Sequence, residues 1–207
     1  GTSFLVLAVA FQLGALALAP LIVVQPIGAI ALIMTSLLNA RIYKLKLNPK
    51  TFLAIALTTI GVGGFVAFAA SSAIAVEMSN EKLLQVVGIL FLLLLMFGLL
   101  FWRSKGKVSA LQYIFGAGVL YGFVASLAKV VIQRIMQQDY DLLTLLALAS
   151  LLGATLLGGW FVQNAYASGP PDLVIAGLTV IDPAVAVGIA IVILGEAQEA
   201  SAVQVAG

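Results

Sequence analysis

Charge is scarce in this sequence. Of its 207 residues, 9% are Asp, Glu, Lys or Arg, against about a quarter in an ordinary soluble domain. Hydrophobic residues make up 63%, and the mean hydropathy is +1.20. So few polar side chains cannot cover that much apolar surface in water, so the solvent of this chain is largely lipid. Cysteine is absent, which excludes disulfides and thiolate chemistry. Histidine is absent too, and with it go the remaining usual nitrogen and sulfur ligands for zinc or iron. No nucleophile–base pair can be assembled from Cys or His, and no Walker motif is present, so the expectation is a non-enzyme without cofactor, catalytic residue or metal site. A net charge of +2 with two short basic loops leaves no basic face for nucleic acid.

Long apolar runs are what is there. Seven segments approach or exceed the ~20 residues a helix needs to cross a bilayer: 3–19, 21–40, 50–70, 83–102, 109–135, 142–168 and 172–195. Their length argues for helix over strand. Ala19-Pro20 makes a tight hairpin between the first two. The first run has no charged lead-in and no cleavage site, so it reads as a span and not as a signal peptide. The chain starts on Gly1 and ends in "AQEASAVQVAG", which reads as the lead-in to another span; a fragment truncated at both ends is expected.

Seven of the ten basic residues sit in two connections: Arg41, Lys44, Lys46 and Lys50, then Arg103, Lys105 and Lys107. These should be cytoplasmic. The loops holding Glu77, Glu81 and Lys82, and Asp139 and Asp141, then lie outside.

Two stretches repeat. "VVQPIGAIALIMTSLLNA" (23–40) aligns without a gap on "VIDPAVAVGIAIVILGEA" (180–197), placing Pro26 on Pro183, Gln25 on Asp182 and Asn39 on Glu196. By the charge pattern the two copies cross in opposite directions. That is an inverted repeat, a recurring construction of secondary transporters.

The "APLIVVQPIGA" run, the basic loop after it and "GWFVQNAYASGPPDLVIAGLTVIDPAVAVGIAIVILGE" together resemble the drug/metabolite transporter (DMT) superfamily in its EamA-like branch. The nearest flavour is that of bacterial members related to NIPA magnesium transporters. The likeness covers most of the chain, and "LGE" at 194–196 is its most family-like element. Asn39 departs from it, standing where many members carry Glu. The resemblance implies an all-α polytopic bundle of nine or ten helices in two inverted halves, of which seven spans are present. Residues 1–70 would be the first repeat, truncated at its N-terminus. Residues 71–82 would be an extracytoplasmic loop, and 83–207 the second repeat, truncated at its C-terminus. The setting would be a bacterial cytoplasmic membrane, with the lipid bilayer and a small-molecule or ion substrate as partners and a homodimer allowed.

Asp182 lies near the centre of its span. A charged Asp there costs at least ~2.5–3.5 kcal/mol, so it should face a polar cavity, pair with a cation or stay protonated. It would then bind or couple a solute, or simply cap a helix break. Pro183 removes a donor and disfavours helical geometry at residue 182, so a break is expected there, with Pro26 as its counterpart. Lys129 shares a helical face with Gly122, Ser126 and Gln133, and would face a cavity or snorkel to the interface. Arg134 should be interfacial. Gln12, Gln25, Gln163 and Asn164 can line a solute path or serve as interhelical hydrogen bonds. The substrate or coupling candidates are Asp182, Lys129, Gln25, Gln12 and Asn164. Glu196 should be a solvated carboxylate at the outer interface. The glycines of "GVLYG" (118–122) should serve close helix packing. The expected function is ion- or proton-coupled transport of a small metabolite or drug-like solute. A NIPA-like magnesium transporter is the first alternative, weakened by the positive charge of Lys129. A non-transporting membrane scaffold is the second.

Overall fold

The computed structural model describes residues 2–42, 49–72, 79–103 and 108–196. Among these residues there is no strand. Seven α-helices follow one another: α1 (Thr2–Leu18), α2 (Leu21–Ile42), α3 (Pro49–Ser72), α4 (Asn80–Arg103), α5 (Ala110–Met136), α6 (Leu142–Ser168) and α7 (Pro171–Ile189). Each expected apolar run is one of these helices. Lys44, Lys46, Lys105 and Lys107 of the two basic loops and half of the 71–82 connection fall on 43–48, 104–107 and 73–78, outside the described residues.

Local chemistry sets the helix ends. Pro49 opens α3 and Pro171 opens α7, where the missing N–H costs nothing. Ser109 and Gln112 form a reciprocal capping box at the start of α5: Ser109 Oγ accepts the Gln112 N–H at 3.4 Å, and Gln112 Oε1 accepts the Ser109 N–H at 2.8 Å. Asp141 caps α6, its Oδ1 accepting the Thr144 N–H at 2.8 Å.

One expectation fails here. Neither Pro26 nor Pro183 breaks its helix; both lie inside continuous α-helix. Membrane helices tolerate interior proline because neighbouring helices and polar side chains serve the freed backbone groups. The irregularity comes later, where α7 widens into a π turn over Ala190–Leu194 and ends on Gly195 at a left-handed φ of 74°.

Helix α5 is the centre. Of its span 78% is buried, against 22% in each of α4, α6 and Leu173–Leu194. It packs chiefly on α6 and α7, and also on α1, α4 and α2; α2 in turn meets α3 and α7. Glycines make the closest of these approaches. A Cβ at Gly118 would lie 2.7 Å from the Ile181 Cβ, and one at Gly122 would lie 2.6 Å from the Val185 Cβ and 3.0 Å from the Asp182 carbonyl oxygen. The "GVLYG" glycines therefore seat α5 directly on α7 around Asp182. Two residues before Gly118, against α6, Gly116 makes room for the Phe161 ring. That ring sits among Phe97, Phe101, Tyr113 and Trp160, with centroids 5.0–6.0 Å apart.

Outward faces are apolar. Phe91, Leu92, Leu99 and Trp102 of α4 and Leu152 and Leu156 of α6 are all more than half exposed, which suits lipid and not water. Among the described residues, four helical segments (α4, α5, α6 and Leu173–Leu194) are long and apolar enough to cross a bilayer. The protein is a helical membrane bundle.

Candidate functional site

A cavity of about 380 Å³ opens between α1, α2, α5 and α7. Its polar lining is Gln12, Gln25, Tyr121, Thr179 and Asp182; Leu178, Gly28 and Pro183 complete the wall. Gln25 is buried, while Gln12 is exposed. One carboxylate oxygen of Asp182, Oδ1, is buried with no hydrogen-bond partner among the described residues. A buried acceptor without a donor is costly in a low-dielectric setting. Pro183 adds to this polarity: lacking an N–H, it leaves the carbonyl of Thr179, four residues back, without its helical donor.

The cavity thus brings together Asp182, Gln25, Gln12 and Pro183 of the residues singled out from sequence. Pro26 lies one residue from Gln25 inside α2. Sequence reasoning missed Tyr121 and Thr179. Each had a signal: Tyr121 precedes Gly122 in the α5 packing motif, and Thr179 is the residue whose carbonyl Pro183 strands.

Two candidates go elsewhere. Asn164 donates its side-chain N–H to the Trp160 carbonyl at 2.7 Å, one turn back on its own helix, and does not line the cavity. Lys129 is buried, and its ammonium donates to the carbonyls of Leu16, at 3.2 Å, and Ala19. It neither snorkels nor lines the cavity; it serves the last carbonyls of α1, where a cation complements the helix dipole.

Glu196 corrects a second expectation. It is 2% exposed, not a solvated interfacial acid. Its Oε1 accepts the Leu21 N–H at 3.1 Å and its Oε2 the Ile22 N–H at 2.9 Å. These are orphan donors at the first turn of α2, next to the dipole's positive end. The α1–α2 hairpin is therefore held by one buried charge on each side of Pro20, a cation under α1 and an anion under α2. Lys82 of α4 joins this end, its Nζ donating to the Leu194 carbonyl at 2.7 Å.

Arg134, expected at the interface, lies near the end of α5 and is buried within the protein at 1% exposure. Its guanidinium donates to Asp139 and Asp141 at 2.9 Å each, to Thr144 at 3.2 Å and to Asn80. This fork ties the start of α4, the end of α5 and the start of α6 together. Asp141 lies outside the spans. The Thr144 N–H donated to its carboxylate holds its pKa below the ordinary 3.8; burial opposes this, and the Thr144 hydroxyl and Arg134 reinforce it.

Among the described residues no three His, Cys, Asp or Glu side chains gather as a metal site. Comparison with protein-family models, curated proteins and solved structures finds no match to the chain.

Proposed function

We propose that the protein is a secondary transporter of the DMT type, EamA-like, with all seven helices as spans and the cavity around Asp182 as its solute site. The carrying observation is that Gln25 and Asp182, equivalent positions of the sequence repeat, line one cavity. Their helices, α2 and α7, pack on each other, and the C-terminal end of the α7 segment caps the N-terminus of α2 through Glu196. That contact supports reading the two copies as oppositely directed, the arrangement of an inverted repeat. A site between such copies, with interior prolines on both helices, suits rocking of one half against the other. The sequence resemblance and the basic loops at 41–50 and 103–107 support the same reading, with those loops on the cytoplasmic side of a cell membrane.

The test is solute flux in proteoliposomes. Asp182→Asn keeps the size of the side chain and removes its charge. Flux of a transported solute should fall at least about tenfold, the scale of one lost charge-assisted hydrogen bond. Unchanged flux in a folded variant overturns the role of Asp182 and with it this reading of the cavity.

A further inference from the structure

We infer that the cavity takes a small organic monocation carrying an N–H donor, a protonated amine, in preference to an anion, a neutral isostere or a divalent metal ion. This rests on the reading of the cavity as a solute site.

Among the described residues the lining carries one ionisable carboxylate, Asp182, and no basic residue. The two cationic side chains of α5 are committed elsewhere, Lys129 to the carbonyls of α1 and Arg134 to the fork between α4 and α6. Described residues of α1 carry no charge, and Arg41, the sole charged residue in α2, lies in its last turn. An anion would therefore meet a carboxylate with no counter-charge beside it. A divalent ion would leave one uncompensated positive charge in a low-dielectric interior, which is strongly unfavourable. A monocation cancels the site's charge.

The remaining groups favour a donor-bearing cation. Asp182 Oδ1 is short of a donor, and the Thr179 carbonyl has no N–H at Pro183 to serve it. The side-chain amides of Gln12 and Gln25 each bring an acceptor, beside donors of their own. An ammonium presents two or three N–H groups to such a set. Leu178, Gly28 and Pro183 of the wall supply apolar area for its carbon body. A volume of about 380 Å³ lies near the lower end for small-molecule sites.

The experiment is equilibrium dialysis of the full chain in lipid nanodiscs at pH 7. The probes are radiolabelled 2-phenylethylammonium, 2-phenylethanol and phenylacetate, with magnesium chloride as competitor. The ammonium should bind at least about tenfold tighter than the alcohol, and phenylacetate more weakly still. Asp182→Asn should erase the preference, while Asp182→Glu, which keeps the charge, should retain part of it. Equal binding of alcohol and ammonium, a preference that survives in Asp182→Asn, or displacement of the ammonium by magnesium at lower concentration overturns the inference. Flux separates this from the transporter reading. Selective ammonium binding without flux upholds the ligand class and removes transport. Flux of phenylacetate or magnesium without ammonium binding upholds transport and removes the ligand class.

Discussion

Single residues at the hairpin end do more than their sequence positions announce. Glu196 stands after "LG" at the close of a span, where solvation is the cheapest expectation for a carboxylate. Its partners, the N–H groups of Leu21 and Ile22, lie 175 and 174 residues away, so no local pattern could pair them. Glu196→Gln offers one oxygen where two donors are served. It should lower stability by about 1–3 kcal/mol, the cost of leaving a buried donor unpaired, read as a lower unfolding midpoint in detergent. A variant as stable as wild type would show that the cap contributes nothing. Asp141 gives a pH signature. Its pKa is lowered in the folded protein, so the folded state binds this proton less readily than the unfolded chain. The stabilisation is complete above the ordinary value of 3.8 and is lost as pH falls through the lower folded value. The unfolding midpoint should drop in that acid range, and Asp141→Asn, which keeps an acceptor for the Thr144 N–H, should remove that part of the drop.

Helices as elements were the most legible feature. Runs of twenty apolar residues, with Pro49, Ser109, Asp141 and Pro171 at the starts, leave few choices other than helix. The proline inside α7 misleads, because the rule it invokes belongs to a helix with no neighbours. Here Gly118 and Gly122 bring the α5 backbone against α7 on either side of Asp182, and the packed pair holds the helix through Pro183. Adding one methyl group separates packing glycines from bystanders. Gly122→Ala must push Val185 or the α7 backbone away, and should cost about 1–3 kcal/mol and distort the cavity. Gly63→Ala in α3 has nothing within 4 Å of the new Cβ, and should be neutral or gain up to about 1 kcal/mol. Paired thermal unfolding curves check both, and equal effects would count against the close α5–α7 seat.

For the whole molecule, the argument is one of direction. The start of α2, the start of α4, the end of α5, the start of α6 and the end of the α7 segment meet at one end through Glu196, Lys82 and Arg134. Gly169, after α6, meets Ala110, at the start of α5, at the other. That is the alternation the charge pattern requires. The absence of cysteine makes it measurable. Gln137→Cys should react with a membrane-impermeant thiol reagent on intact cells, and Ser168→Cys only after permeabilisation. Labelling of both from one side would break the topology.

Composition alone placed this chain in lipid, because no arrangement of so few charges could hide so much apolar surface from water. Apolar run length placed its helices, and basic residues proposed their direction. The repeat marked Gln25 and Asp182 as a pair. Which polar residues share a cavity depended on how α1, α2, α5 and α7 pack, since contacts between distant segments leave no local trace. The same packing took Lys129 and Asn164 out of the candidate set and brought Tyr121 and Thr179 in. It also buried Glu196 and Arg134, because a charge remains inside a membrane bundle when the ends of other helices present the dipoles and hydrogen bonds that replace water.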